Sequence, residues 1–164
     1  MAYAYHHLHG IDVTVLRFFS VYGPAGRPDM SIFRFVKSIA DDEVVEVYGD
    51  GSQRRGFCYV YDIAAGVLAA LRPLGYDTIN LGDDRPTALN EVIRLLEEVL
   101  GKRACVEYQP PDSANVAATH TDISRAQEVL GWSPQVMIEE GLRRTADWYL
   151  ANREWASGLD VPRR

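Results

Sequence analysis

The 164-residue chain is short of several things, and each shortage excludes a class of protein. It has two cysteines, Cys58 and Cys105, without a Cys-x-x-Cys spacing, so neither a disulfide scaffold nor a cysteine metal site is expected. Both lie in strand-like runs and read as buried thiols. No apolar run approaches the roughly 18 residues of a membrane span, and Met1-Ala2-Tyr3-Ala4-Tyr5-His6-His7 lacks the layout of a secretory leader. A cytoplasmic protein is expected. Positive charge is in deficit: 17 Lys and Arg against 23 Asp and Glu give a net charge of −6. That balance argues against nucleic acid or an anionic membrane as the main partner and makes any basic site local. Also missing are a Gly-rich dinucleotide turn, a His-Glu-x-x-His pair and a serine elbow.

What is present suits one domain, or part of a larger one: 47% of residues are hydrophobic, enough for an ordinary core. The chain alternates strand-like and helix-like segments, so the class is α/β. Met1–His9 reads as the last turns of a helix closed at Gly10. His6 and His9 share a helical face without a third ligand, so they are packing or solvated histidines. Val13–Val21 is β-branched and aromatic and reads as one buried strand. It runs into the loop Tyr22-Gly23-Pro24-Ala25-Gly26-Arg27-Pro28-Asp29-Met30.

A helix follows over Ser31–Ala40, with Asp29 or Ser31 at its start. Val44–Tyr48 is a strand that enters the turn Gly49-Asp50-Gly51-Ser52-Gln53-Arg54-Arg55-Gly56. Phe57–Val60 is a strand, and Asp62 is placed to cap a helix over Ile63–Leu71. Thr78–Leu81 is strand-like; Thr87 is placed to cap a helix over Leu89–Leu100 that ends at Gly101. Cys105–Gln109 is a further strand. A short helix beginning at Asp122 or Ser124 ends at Leu130-Gly131, and Ile138–Asn152 is amphipathic, with Leu142, Ala146, Tyr149 and Leu150 on one side. A frayed tail is expected from Ala156, so the domain reads as 1–155 with a tail at 156–164.

Two loops carry arginine where strands end, the usual place for ligands in α/β proteins. Arginine holds phosphate or carboxylate through paired, charge-assisted hydrogen bonds, so Arg27, Arg54 and Arg55 are candidate anion ligands. No complete set of catalytic groups emerges from these residues alone.

The segment from Arg17-Phe18-Phe19-Ser20 through Val21-Tyr22-Gly23-Pro24 resembles the extended short-chain dehydrogenases/reductases that act on nucleotide sugars, the NAD-dependent epimerase/dehydratases. Gly26-Arg27-Pro28-Asp29-Met30 is most similar to the UDP-glucuronate 4-epimerases among them. Val47-Tyr48-Gly49-Asp50-Gly51-Ser52-Gln53 with Arg55-Gly56-Phe57, then Asn80-Leu81-Gly82, resemble further family segments. So do Ala118-Thr119-His120-Thr121-Asp122-Ile123-Ser124-Arg125-Ala126, Leu130-Gly131-Trp132-Ser133-Pro134 and Glu140-Gly141-Leu142. The resemblance implies the last strands of a Rossmann-type sheet plus a small mixed α/β substrate-binding domain.

In that family the Gly-rich NAD motif and a Tyr-x-x-x-Lys pair precede the strand that starts here at Val13. Tyr3 and Tyr5 are followed four residues later by His7 and His9, so neither replaces that tyrosine. The resemblance therefore implies a C-terminal half that is inert by itself, with NAD bound mainly by residues outside it. A homodimer is implied for the complete enzyme and weak or altered association for this chain. The implied substrate is a UDP-sugar, with Arg55 on the diphosphate, Val47 and Tyr48 along the uridine and Arg54 in solvent. Ser20 and Arg27 are implied for the glucuronate carboxylate, with Arg34 as the rival. Alternatives are a 4,6-dehydratase or decarboxylase on the same scaffold, or a non-catalytic binding module. Three positions depart from the family pattern, each holding another residue where aspartate is common: Gly56, Tyr61 and Asn115. Asn115 bears on contacts to the nucleotide.

Overall fold

The computed structural model describes residues 1–111 and 116–160, a mixed α/β arrangement of small sheets and seven helices among those residues. The helix α1, Ala2–His9, ends at Gly10 in the left-handed region, as its sequence suggests. The strand β1, Val13–Phe18, pairs in parallel with β6, Tyr76–Leu81, from Val13↔Tyr76 to Phe18↔Leu81. The β-branched run does not continue as one strand to Val21. Ser20 takes φ 36° and turns the chain, so β2 is the separate pair Val21–Tyr22, parallel to β5, Cys58–Tyr59.

A third parallel pair joins β3, Val44–Tyr48, to β8, Cys105–Gln109. An antiparallel pair of two residues each joins β4, Arg54–Arg55, to β7, Thr87–Ala88. The helices are α2 (Ser31–Ala40), α3 (Val60–Ala69), α4 (Leu89–Leu100), α5 (Ser124–Leu130), α6 (Ile138–Ala151) and α7 (Arg153–Ala156).

The main core lies where α2, α4 and α6 meet β3, around Phe33, Val36, Ile39, Val45, Val47, Leu96 and Leu142. A second core, around Ile79, Leu81, Ile63, Ala126 and Trp132, joins α3 and α5 to the β1–β6 pair. The glycine of Glu140-Gly141-Leu142 has a packing reason. A Cβ there would lie 1.9 Å from the hydroxyl oxygen of Tyr22, so only a bare backbone lets α6 press against that ring.

Several local readings change. Asp62 does not cap a helix; α3 begins earlier, at Val60, and Asp62 lies buried in its first turn. Its Oδ2 accepts the backbone N–H of Gln135 (3.1 Å) and of Val136 (2.9 Å), while its carbonyl accepts Trp132 Nε1–H at 2.8 Å. Thr87 pairs in β7, and Ala88 takes the cap position of α4. Phe57 and Val60 fall outside the two-residue β5. Cys58 is fully buried, and burial first, then neighbouring Asp62 and Asp83, pushes its thiol up to about 12. Cys105 is exposed, contrary to expectation, because it opens β8 on the face away from the more covered Val106. Leu150 is 48% exposed, since 3.6 residues per turn swing it about 80° from Leu142.

The frayed tail does not begin at Ala156, which is fully buried in the main core; residues 161–164 lie outside the described ones. What fixes α7 is Asp41, at the C-terminal end of α2. Its carboxylate accepts the Tyr149 hydroxyl at 2.5 Å and Arg153 Nε–H at 2.7 Å, with Lys37 Nζ at 3.6 Å. Burial pushes the Asp41 carboxyl up, but those hydrogen bonds and the charges of Arg153 and Lys37 outweigh it and hold it below its ordinary value. A depressed carboxyl stabilises the fold above its unfolded pKa of about 3.9 and loses that contribution as pH falls through the lower folded value. Asp41→Asn is therefore expected to lower the melting temperature at pH 7. In thermal scans the gap to wild type should close toward pH 2; a gap that held constant with pH would show that the carboxylate's charge is immaterial.

Candidate functional site

A cleft of about 290 Å³ opens at the carboxyl ends of the parallel strands β2 and β3, between the 23–30 loop, the first turns of α2 and the start of β4. Ser20, Arg27, Arg34, Val47, Tyr48 and Arg55 all line it, so these sequence candidates meet in one place, while Arg54 does not join them. Asn115 lies outside the described residues.

Each position has a local cause. Ser20 sits in the left-handed bend after β1, where its carbonyl accepts the Cys58 N–H at 3.1 Å. The loop beyond it opens at Gly23, with φ 147° and a Cβ position only 2.5 Å from Val60 Cγ1, a place no larger residue fills. Arg27 reaches into solvent, 71% exposed, and donates to Asp29 from Nε at 3.0 Å and from Nη2. That hydrogen bond, and next the charge of Asp29, raise the guanidinium's pKa further above its ordinary value. Arg34, on α2, is 14% exposed and donates from Nη2 to Glu46 Oε2 at 3.2 Å.

Val47 is core-facing and buried, with Tyr48 beside it at the end of β3. The turn that follows is rigid. Asp50 Oδ1 accepts Ser52 N–H at 2.9 Å, Gln53 Nε2 donates to the Tyr48 carbonyl at 2.7 Å, and Asn90 Nδ2 donates to the Asp50 carbonyl at 2.9 Å. This frame delivers Arg54 and Arg55 to opposite fates. Arg54 is exposed, its backbone tied to Ala117 and Thr119; Arg55 faces the cleft, and its Nη1 donates to the Arg54 carbonyl at 2.8 Å.

The sequence reading missed Glu46, Tyr22, Phe57 and Gln53 as lining residues. Glu46 had a signal: it stands between Val45 and Val47, both core-facing, so strand alternation turns it the other way. Tyr22 is buried against Phe57 and Tyr59, its hydroxyl donating to the Ile138 carbonyl at 3.5 Å. Burial, first among the causes, pushes that hydroxyl above its ordinary range, so it stays protonated at neutral pH. The cleft thus offers three guanidinium groups, an apolar wall and a small hydroxyl: equipment for gripping anions beside a flat ring. No group of three or more His, Cys, Asp or Glu side chains among the described residues is arranged to hold a metal ion.

A mixed α/β chain with an arginine-bearing cleft at its strand ends is the form of an anion-binding α/β protein. The chain belongs to the NAD dependent epimerase/dehydratase family, whose model matches residues 1–82. It is 49% identical over 162 residues to the UDP-glucuronate 4-epimerase of Thermodesulfobacterium geofontis, a match covering 98% of this chain and 50% of that protein. Among solved structures it is similar to UDP-glucuronic acid 4-epimerase from Bacillus cereus in complex with UDP-glucuronic acid and NAD. There the identity is 32% and the TM-score 0.87, over 92% of this chain and 49% of that one. UDP-glucose 4-epimerase from Thermotoga maritima with UDP-glucose gives 31% and 0.86, over 92% and 50%. The chain spans about half the length of the curated relatives it matches.

Proposed function

We propose that the cleft binds the UDP part of a nucleotide sugar, and that these residues form the substrate-holding side of an NAD-dependent 4-epimerase acting on UDP-glucuronate. The observation that carries the reading is the convergence of Arg27 and Arg55 with Val47 and Tyr48 around one cleft at the ends of β2 and β3. A diphosphate needs fixed, directional donors, which arginine supplies in a planar fork; a uracil ring needs a flat apolar wall. Arg55 is assigned to the diphosphate, Val47 and Tyr48 to the uridine, and Arg27 with Ser20 to the glucuronate carboxylate.

NAD supplies hydride transfer when bound to such enzymes. The cleft residues do not fit it: the sequence has no Gly-x-Gly-x-x-Gly, and α2 follows a loop broken by Pro24 and Pro28 rather than a tight glycine turn. A polypeptide of these 164 residues is therefore read as binding the nucleotide sugar without epimerising it.

The reading is tested by comparing ligands in a calorimetric titration. Arg27→Ala is expected to weaken UDP-glucuronate by about tenfold, the scale of one charge-assisted hydrogen bond, and UDP-glucose by less than about twofold, because the latter has no carboxylate to lose. Equal losses for both ligands would reduce Arg27 to a brace for the loop through Asp29.

A further inference from the structure

Glu46 is an odd group to find where an anion binds. The cleft holds three guanidinium groups and two carboxylates, Asp29 and Glu46, each carboxylate already paired with an arginine. UDP-glucuronate brings three negative charges of its own, two on the diphosphate and one on the sugar. Its anions must therefore find arginines that change partners readily, and the two pairs differ in this respect. Arg27 and Asp29 are 71% and 30% exposed, so water stabilises either group when they separate and the exchange costs little. Arg34 and Glu46 are 14% and 28% exposed. The two carboxylates are about equally covered, so the pairs differ at the arginine: Arg34 is largely shielded from water, which leaves its ion pair less screened and costlier to break than that of Arg27.

The strand enforces this pairing. Val45 and Val47, each 1% exposed, anchor β3 in the core and turn Glu46 to the opposite face of the strand, where the Arg34 side chain reaches it. Glu107 lies opposite in the β3–β8 register, and its like charge disfavours any turn of Glu46 toward β8.

We propose that Glu46 sets which arginine meets the sugar's carboxylate: by holding Arg34 it removes that guanidinium from anion binding and leaves the carboxylate to Arg27. This rests on the nucleotide-sugar reading of the cleft, and makes Glu46 a specificity-determining residue that never touches the ligand.

The experiment is a ligand-observed NMR titration of the full chain with UDP, UDP-glucose and UDP-glucuronate. Glu46→Gln keeps the shape and frees Arg34. It is expected to tighten UDP-glucuronate about tenfold relative to UDP-glucose, the gain of one charge-assisted contact, with UDP following UDP-glucose. Arg34→Met in the Glu46→Gln background, where no carboxylate is left unpaired, is expected to abolish the gain. A Glu46→Gln ratio equal to wild type overturns the proposal, as does an equal gain for all three ligands, which would put Arg34 on the diphosphate. Persistence of the gain in the double variant also overturns it. If the wild-type chain bound none of the three, the nucleotide-sugar reading itself would fall and this inference with it; binding with an unmoved ratio would sink the inference alone.

Discussion

Arg55→Ala is expected to weaken UDP binding by one to two powers of ten, while Arg54→Ala leaves it within about a factor of two. A charge-assisted hydrogen bond is worth roughly 1.5–3 kcal/mol, and each 1.4 kcal/mol is tenfold in affinity. The two residues are adjacent and carry the same charge, so the difference comes from placement. Arg55 lines the cleft and spends one of its five N–H donors on the Arg54 carbonyl, which aims the rest of the fork; Arg54 faces water. Titration of both variants with UDP separates the two effects. Equal losses would mean that the site responds to net charge and not to geometry.

Gly56→Ala is expected to destabilise the fold. A Cβ at Gly56 would lie 2.1 Å from the carbonyl oxygen of Asp83, a backbone atom that cannot swing aside. Asp83 is itself fixed: it is 5% exposed, and its carboxylate accepts the Arg85 backbone N–H, Nε–H and Nη2–H at 2.8–2.9 Å. Forcing a methyl into such a space costs about 1–3 kcal/mol. For a chain of this size that is roughly 2–12 °C of melting temperature. Phe57, the next residue, lines the cleft, so UDP affinity should fall alongside. An unchanged melting temperature would show that the main chain around Asp83 yields freely. The same contact gives Gly56 its packing reason: the Asp83 main chain fills the space a side chain would need.

The parts of this fold that sequence reveals are those fixed by neighbours within a turn or two. Helix α2 runs from Ser31 to Ala40 as its apolar periodicity dictates, and Gly10, Gly101 and Gly131 end their helices in the left-handed region. What escaped was settled by distant partners. A serine carries no signal that it will adopt φ 36°, yet that angle splits the run from Val13 into two strands. Asp62 has the look of a cap, but its partners lie more than 70 residues on, at Gln135 and Val136. Ala156 is held in the core by an ion pair between Arg153 and Asp41, again far apart in sequence.

The cleft was legible as a set of residue types because motif resemblance groups them. Its internal pairings were not, since Arg34 with Glu46 depends on how α2 lies across β3. Tyr61, another departure from the pattern, is 62% exposed and packs edge-on against Tyr59 at 5.3 Å; nothing in the structure explains its choice.

The parallel pairing of β1 with β6, and of β3 with β8, joins segments about sixty residues apart. Closing a flexible loop of that length costs roughly 3–4 kcal/mol of chain entropy before the first ladder bond repays any of it. Each of these strands has one partner among the described residues. The helices between them, α2 and α4 above all, draw on local contacts and can form early. The cleft, which needs β2, β3 and β4 aligned at once, is expected to assemble late in folding, after the helices have brought its strands within reach.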